Sequence, residues 1–369
     1  MHILLAPDSF KESLSAKQVA EALKKGFQEA LPDATFDLLP IGDGGEGTMD
    51  TLAGILNLTK KHTQVTGPFG QPVSMSYYQK DEIAFFEMSS LVGLGSIPAE
   101  KRNPLELETR GIGELILQLV DQGVKTICVG IGGSATNDGG IGMAAGLGVA
   151  FYDDQGHLLR PVGASLGRVA RIDTNAVPKA LQNIELQILT DVTNPLCGSQ
   201  GATYIFGGQK GLNPLLFPAV DQAMQDFYQL ADARILSMAG AGAGGGMAAG
   251  LVAFAGGHIS SGIEKSLDLI DFDRKVSKTD LVIVGEGRMD KQSLSGKAPV
   301  GVAKRTPAGI PVIAICGSLG DDLPSFPSHN ISAAFSIVPG PCQVSEALKN
   351  AEKNLISCAR NIGQLLKIQ

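Results

Sequence analysis

The pattern of hydrophobic and polar positions at the two ends of the chain predicts alternating strands and helices. Val19, Leu23 and Phe27 recur at helical spacing, and Ser15 precedes them at the place of an N-cap residue. Strands are predicted at residues 2–6, 36–40, 281–284, 311–315 and 333–337. Helices are predicted at residues 15–31, 48–58, 296–304 and 344–366. This alternation favours an open parallel sheet that is flavodoxin-like in strand count and is built from both chain ends.

The middle of the chain follows a different pattern. Three strand-like runs at 64–66, 73–79 and 83–88 follow one another without helices, which predicts an antiparallel meander. Beyond them the pattern predicts a helix at 107–120, strands at 126–130 and 186–190, and a hairpin at 149–159. The middle therefore has the elements of a separate mixed α/β domain.

We expect an α/β protein of two domains, because 369 residues exceed what one hydrophobic core usually supports. Residues 1–62 and 277–369 are predicted to form a discontinuous, flavodoxin-like parallel-sheet domain. Residues 63–276 are predicted to form an inserted mixed α/β domain, with the active-site cleft between the two.

The composition excludes several classes of function. The net charge of −7 and the aromatic content of 5% argue against a nucleic-acid partner or an anionic membrane surface. Five widely spaced cysteines without a C-x-x-C pair argue against a disulfide framework or a zinc site. The apolar run at the N-terminus is too short for a signal peptide, and the glycine-rich stretch 235–257 has few large apolar groups. The sequence predicts a cytoplasmic protein.

Glycine is unusually frequent, with 47 residues, and it gathers in loops. Polar glycine-rich loops follow predicted strands at residues 42–47, 130–140, 191–195 and 285–290. In open α/β sheets, ligands bind at the carboxyl ends of strands. The dinucleotide pattern G-x-G-x-x-G occurs at both 42–47 and 240–245, but no acidic residue follows the first match at the spacing needed for ribose. A Walker A loop is absent.

Seven carboxylates occupy turn positions: Asp8, Asp43, Glu46, Asp138, Asp191, Glu286 and Asp290. Any one of them could simply cap a helix or face water. Together, beside Lys11, Arg288 and Lys297, they favour magnesium with a phosphorylated nucleotide. The run 240–246 has two interpretations, a phosphate nest of backbone N–H groups or close packing at a domain hinge.

These loops and their flanks resemble the bacterial type 1 glycerate kinase family. The matching segments are 6–15 (APDSFKESLS), 40–48 (PIGDGGEGT), 130–140 (GIGGSATNDGG), 190–198 (TDVTNPLCG), 206–211 (FGGQKG), 240–246 (GAGAGGG), 285–290 (GEGRMD) and 296–299 (GKAP). They span nearly the whole chain in order. Departures occur at Glu12, Gly42 and Gly208, where family members often carry Gly, Ala and Pro.

The resemblance implies a glycerate kinase that phosphorylates D-glycerate with ATP and Mg²⁺ in glyoxylate, glucarate and serine metabolism. It also implies a flavodoxin-like domain and a second α/β domain with a cleft between them. The product is expected to be 2-phosphoglycerate, with 3-phosphoglycerate as the alternative. A homodimer is compatible with the sequence, which does not determine the oligomeric state.

Role assignments follow from combining the resemblance with the residue types. Asp191 is predicted to orient or accept the hydroxyl proton, and Lys11 and Arg288 to neutralise anionic groups. Asp43 and Glu286 are the predicted Mg²⁺ ligands. The predicted substrate-binding residues are Asp8, Ser9, Asn137, Asp138 and Asn194. The predicted nucleotide-binding residues are Gly44, Gly45, Gly242, Gly244 and Lys297.

Two other classes of protein share the same loops. A nicotinamide-dependent reductase for small hydroxy acids predicts NADH binding without a magnesium requirement. A non-catalytic two-domain binding protein predicts glycerate binding without turnover.

Overall fold

The computed structural model describes residues 1–42, 47–291, 293–295 and 297–368. The strands are His2–Pro7 (β1), Thr35–Leu38 (β2), Thr59–Thr66 (β3), Pro72–Lys80 (β4), Ile83–Glu87 (β5), Thr126–Gly130 (β6), Ala150–Tyr152 (β7), Arg171–Asp173 (β8), Glu185–Leu189 (β9), His258–Ser260 (β10), Leu281–Gly285 (β11), Arg288–Met289 (β12), Val312–Cys316 (β13), Ser318–Leu319 (β14) and Ala333–Ser336 (β15).

The α-helices are Ala16–Ala30 (α1), Thr48–Leu56 (α2), Ser89–Val92 (α3), Arg110–Asp121 (α4), Ile141–Gly146 (α5), Ala202–Phe206 (α6), Phe217–Ala231 (α7), Met247–Ala255 (α8), Gly262–Leu269 (α9), Phe272–Val276 (α10), Ala298–Arg305 (α11), Val344–Lys349 (α12) and Ala351–Leu366 (α13). Among the helices of the described residues, none combines the length and the apolar character that crossing a membrane requires.

The chain forms two compact units. Of the described residues, the first unit holds 1–42, 50–56 and 262–368, and the second holds 47–49 and 57–261. The units thus change at residue 262, whereas the sequence placed this boundary at 277.

Helices α9 and α10, which belong to the first unit, are linked to α11 by a guanidinium group. Arg305 at the end of α11 pairs with Glu264 and Asp268 of α9 at 3.3 and 2.6 Å. It also donates two 2.8 Å hydrogen bonds to Asp273 of α10. These contacts hold the pKa of Arg305 above its ordinary value and that of Asp273 below it.

The first unit contains a five-stranded sheet in the order β15-β13-β11-β1-β2, with every pair parallel. Numbered along the chain within this sheet and read from β2, the order is 2-1-3-4-5, which is the flavodoxin-like order. The predicted parallel sheet built from both chain ends is therefore confirmed. Pro7 pairs with Gly285, so the residues that follow β1 and β11 lie at the same edge of the sheet.

Helix α1 shows how the local pattern produces this unit. The Ser15 side chain accepts a hydrogen bond from Gln18 N–H, and the Gln18 side chain accepts one from Ser15 N–H. This capping box satisfies two N–H groups that the first helical turn leaves free, which confirms the predicted N-cap. Val19, Leu23 and Phe27 are fully buried, and α1 packs along α13.

The contact between α1 and α13 leaves no space for a side chain at Gly26. A Cβ atom there would lie 2.3 Å from the carbonyl oxygen of Ile356. We expect Gly26→Ala to lower the free energy of unfolding by about 1–3 kcal/mol, because the helices must separate. Gly54→Ala, in the middle of α2 with nothing within 4 Å of its Cβ, is the control and is expected to be stabilising. Urea unfolding of both variants measures the difference, and equal effects would contradict this packing.

The second unit contains a six-stranded sheet in the order β10-β9-β6-β5-β4-β3. Strands β3, β4 and β5 form the predicted antiparallel meander. Strands β5, β6, β9 and β10 are parallel to one another, so their carboxyl ends share one edge. The predicted hairpin at 149–159 is present as a short antiparallel turn, in which Asp153 N–H donates to His157 O at 3.0 Å and Leu159 N–H donates to Phe151 O at 2.8 Å. Strand β7 also pairs with β8, which the sequence did not predict.

Candidate active site

The carboxyl edge of the second sheet brings together residues that are far apart in sequence. Glu87, Gly130 and Leu189 pair in register at the ends of β5, β6 and β9, and Ser260 pairs with Leu189 at the end of β10. The loop after β6 carries Asn137 and Asp138, and the loop after β9 carries Asp191 and Asn194. Four of the predicted site residues therefore follow this one edge.

Asp191 lies two residues beyond β9 and is half-buried. Its carboxylate oxygen Oδ1 accepts a 2.7 Å hydrogen bond from the hydroxyl of Ser261, which follows β10 directly. Sequence reasoning missed Ser261, because serine after a short strand carries no distinguishing signal. A carboxylate at a strand end with a hydroxyl donor fixing one oxygen can accept a proton on the other.

Glu87, which sequence reasoning also missed, binds the start of helix α2. Its carboxylate is 8% exposed and accepts hydrogen bonds from the N–H groups of Gly47 and Met49 at 3.1 and 2.8 Å. The hydroxyl of Ser89 donates a third, at 3.1 Å. A negative charge is favourable at a helix N-terminus, so Glu87 occupies the place that an anionic ligand could otherwise take. The predicted residues Asp43, Gly44 and Gly45 of the preceding loop lie outside the described residues.

Asp138 is fully buried rather than exposed to a ligand. Its oxygens accept hydrogen bonds from the Thr109 hydroxyl at 2.7 Å and from the N–H groups of Gly140 and Gly142 at 3.1 and 3.4 Å. Burial raises the pKa of this carboxyl, and the hydrogen bonds together with the charge of Lys210 oppose that rise. Asp138 thus fixes the turn at the end of the 130–140 loop.

Lys210 is a buried cation that the sequence did not single out, although it lies in a family-like segment. Its side chain is 3% exposed, and its Nζ donates to Ser134 Oγ at 2.9 Å and to the Thr136 carbonyl at 2.7 Å. Burial lowers the pKa of Lys210 to about 7, and the charge of Asp138 opposes the fall. Lys210 therefore fixes the 130–140 loop through two buried hydrogen bonds, and its charge is opposite to that of Asp138.

The shift of Lys210 predicts a pH dependence. The unfolded chain binds this proton up to a pKa near 10.5 and the folded chain only up to about 7. Between these values the unfolded state binds more protons, so the contribution of Lys210 to stability rises with pH. We expect the stability gap between the unmodified protein and Lys210→Met to widen from pH 7 to pH 9 in urea unfolding. A gap that narrows would contradict the placement of Lys210.

Asn137 belongs to the same interior network. Its Nδ2 donates to Thr203 Oγ1 at 3.0 Å. Its Oδ1 and the hydroxyl of Thr136 are buried without a hydrogen-bond partner. The two adjacent predicted substrate residues, Asn137 and Asp138, are thus placed inside the second unit, beneath the loop that they shape.

The glycine run 240–246 packs closely against two loops. A Cβ at Gly242 would lie 2.2 Å from the Pro195 carbonyl oxygen, and one at Gly245 would lie 2.1 Å from that of Thr136. Gly244 has a φ of +66°, a conformation that favours glycine. The main-chain carbonyl of Asn194 accepts a 3.1 Å hydrogen bond from Gly242 N–H, and the Asn194 side-chain amide donates to Gln200 O at 2.8 Å. These contacts favour the close-packing interpretation of the run.

The carboxyl edge of the first sheet carries a second group of predicted residues. Asp8 N–H donates to Gly285 O at 2.8 Å, and the Asp8 carboxylate accepts from Ser9 N–H at 2.6 Å. Glu286, next after β11, is 8% exposed. Lys11 is exposed, and its backbone lies beside Gly287.

Two more cations, Arg288 and Lys297, follow β11 in the sequence. Arg288 in β12 is exposed, with its Nε 3.7 Å from Asp290 Oδ2. Lys297 is half-buried and is the N-cap residue of α11. Both cations can contact an anion, because neither guanidinium nor ammonium group is buried.

The donor set after β1 and β11 fits magnesium. Among the described side chains, no group of three or more His, Cys, Asp or Glu is close enough to hold a metal ion. Mg²⁺ typically uses only one or two protein carboxylates together with phosphate oxygens and water. Asp8 and Glu286, which directly follow two strands paired in register, supply such carboxylates.

Comparison with known proteins gives matches over the whole chain. The family model described as "Glycerate kinase family" matches residues 3–367. A glycerate kinase of Neisseria meningitidis is 58% identical over 368 residues, covering 100% of this chain and 99% of the relative. The glycerate 2-kinase of Escherichia coli is 41% identical, and the alignment covers 100% of this chain and 98% of that relative. A crystal structure assigned to glycerate kinase 2 of Salmonella typhimurium, 41% identical, matches with a TM-score of 0.84 over 100% of this chain and 98% of that one.

Proposed function

The chain belongs to the glycerate kinase family, and from this premise we propose that it transfers the γ-phosphoryl group of ATP to the 2-hydroxyl of D-glycerate. The observation that carries the proposal is the match of residues 3–367 to that family. The relative named glycerate 2-kinase supports the 2-hydroxyl over the 3-hydroxyl. We assign the chain to the type 1 class and place the reaction in the cytoplasm, where ATP is supplied.

Asp191 is the proton acceptor in this proposal. The glycerate oxygen forms a bond to the γ-phosphorus while the bond from that phosphorus to the bridging oxygen of ADP breaks. The hydroxyl proton passes to Asp191 and then to water, so the products are ADP, 2-phosphoglycerate and a proton. The strand end and the Ser261 hydroxyl support this role, because they fix the carboxylate at an edge where ligands of α/β sheets bind.

The cations of the first unit bind and neutralise anionic groups. Lys11 and Arg288 are assigned to the glycerate carboxylate or the transferred phosphoryl group, and Lys297 to nucleotide phosphate. Glu286 is assigned to Mg²⁺ together with the predicted ligand Asp43, which lies outside the described residues, and Asp8, predicted to bind substrate, supplies a second described carboxylate for the metal. When bound, Mg²⁺ would neutralise charge on the phosphates. Ser9 and Asn194 are assigned to substrate contact.

Asn137 and Asp138, predicted to bind substrate, are assigned a positioning role in this proposal. Because both are buried, they position the 130–140 loop, with Lys210 as the opposing charge. Gly242 and Gly244 contribute by close packing that fixes the neighbouring loops, and any nucleotide contact would come from their backbone.

The anion-binding role predicts the behaviour of two variants. We expect Lys11→Ala and Arg288→Ala each to raise the KM for D-glycerate or ATP by about 10- to 100-fold, since hydrogen bonds to charged groups contribute about 1.5–3 kcal/mol. Lys61→Ala, which removes an exposed lysine of the second unit, is the control. Steady-state kinetics with each substrate varied in turn measures the effect. Unchanged KM values for both substrates in both variants would remove this role.

A coupled assay tests the proposed reaction. Purified protein, D-glycerate, ATP and Mg²⁺ are incubated with enolase and pyruvate kinase, with and without phosphoglycerate mutase, after removal of supplied ADP. Pyruvate without mutase is the expected result and means phosphorylation of the 2-hydroxyl. Pyruvate only with mutase means 3-phosphoglycerate, and no pyruvate in either tube means that the proposed reaction is wrong.

A fluorescence titration with NADH distinguishes the proposed kinase from the alternative, a nicotinamide-dependent reductase. We expect no saturable NADH binding. Glycerate binding without consumption of ATP would instead support a non-catalytic binding protein.

A further inference from the structure

We infer that Ser261 is a positioning residue for phosphoryl transfer, which orients the Asp191 carboxylate through its hydroxyl. The inference rests on the proposed function, since it deepens the role given to Asp191. The contact that carries it is the 2.7 Å hydrogen bond from Ser261 Oγ to Asp191 Oδ1. These residues are 70 positions apart in the chain, so only the fold brings them together.

The backbone around Asp191 is fixed on both sides. Thr190 N–H donates to the Ser260 carbonyl at 3.1 Å, which extends the ladder of β9 and β10 by one step. Val192 N–H donates to the Thr190 hydroxyl at 3.2 Å, which closes a tight turn over Asp191. The main chain is thus held before and after the carboxylate, and the Ser261 hydroxyl fixes the side chain that this main chain carries.

The support beneath this turn is rigid. Ile188 and Leu189 at the end of β9 have no exposed surface, and β9 lies between β6 and β10 in the sheet. A carboxylate on such a strand end needs only one further contact to fix its rotation about the Cα–Cβ and Cβ–Cγ bonds. The Ser261 hydroxyl supplies such a contact at Oδ1.

Ser261 lies at the boundary between the two units along the chain. Ser261 is the last residue of the second unit, and Gly262 begins helix α9 of the first unit. The hydroxyl that orients Asp191 therefore stands at the point where the chain passes from one unit to the other.

Four single variants, one double variant and one reserve variant test the inference. Ser261→Ala removes the hydroxyl, and Ser261→Thr retains it. Ser260→Ala removes a hydroxyl one residue earlier and is the matched control, because it retains the main-chain carbonyl that accepts from Thr190 N–H. Asp191→Asn and the double variant Asp191→Asn with Ser261→Ala complete a double-mutant cycle. Ser261→Cys, a weaker donor of similar size, replaces Ser261→Ala if the alanine variant does not fold.

We expect Ser261→Ala to lower kcat about tenfold, the usual effect of losing one hydrogen bond to a charged group, with both KM values within about twofold of the unmodified protein. Ser261→Thr and Ser260→Ala are expected to retain most of kcat. In the Asp191→Asn background, Ser261→Ala is expected to add less than about twofold, because residues that act through one another are not additive. Residual rates are measured at raised enzyme concentration.

The outcomes that overturn the inference are distinct from those that overturn the proposed function. If Asp191→Asn is strongly impaired while Ser261→Ala keeps its kcat, Ser261 does not position the carboxylate. A tenfold fall that is equally large in the Asp191→Asn background also overturns the inference, since the effect then bypasses Asp191. If folded Asp191→Asn itself keeps its kcat, the proposed role of Asp191 fails and the inference fails with it.

Discussion

Asp191→Asn is expected to lower kcat by about 10²- to 10⁴-fold, the range typical of losing a general base. The amide has the shape of the carboxylate, and its oxygen can still accept the Ser261 hydroxyl, so the fold is expected to persist. It has no basicity at neutral pH, and the attacking hydroxyl then loses its proton acceptor in the transition state. The KM values are expected to change much less than kcat, because the interaction is made as the reaction proceeds.

Steady-state kinetics with circular dichroism and thermal unfolding measures this effect. Asp154→Asn, in an exposed turn of the same unit, is the matched control and is expected to be fully active. If a folded Asp191→Asn protein retains kcat within about threefold of the unmodified enzyme, the loss of kcat is far smaller than the loss expected for a general base. Asp191 would then not be the proton acceptor.

Lys210→Met is expected to lower the free energy of unfolding by about 1–3 kcal/mol for each of the two buried acceptors that lose their donor. The methionine leaves Asp138 fully buried without its opposite charge. It also removes the donor that the Ser134 hydroxyl and the Thr136 carbonyl share. Since the 130–140 loop depends on these contacts, activity is expected to fall together with stability.

A double variant separates the charge from the packing. Asp138→Asn combined with Lys210→Met removes both charges, so the double loss is expected to be smaller than the sum of the two single losses. Urea unfolding of all four proteins gives the comparison. A Lys210→Met protein that unfolds at the same urea concentration as the unmodified protein would show that Lys210 does not hold the loop.

The strand ends could be predicted from the sequence because they depend on local patterns. Apolar runs ending in polar, glycine-rich turns identified the loops after β6, β9 and β11, and the capping box of α1 is a signal within four residues. For the same reason the meander of β3 to β5 was recognisable without any contact information.

The partners of the site residues could not be predicted, because they are distant in sequence. Lys210 meets Ser134 across 76 residues, Ser261 meets Asp191 across 70, and Glu87 meets Met49 across 38. Lysine, serine and glutamate at these positions look like ordinary surface residues until the sheet places them. One sequence also could not choose between the two interpretations of the run 240–246, of which the close approach of Gly242 to the Pro195 carbonyl favours packing.

The most direct test of the central claim is ³¹P NMR of the reaction mixture, because it identifies the product without coupling enzymes. Purified protein is incubated with ATP, Mg²⁺ and D-glycerate, and spectra are compared with those of authentic 2- and 3-phosphoglycerate. The account predicts that the γ-phosphate signal of ATP is replaced by those of ADP and 2-phosphoglycerate in equal amounts. Unchanged ATP, or ADP with only inorganic phosphate, would contradict it.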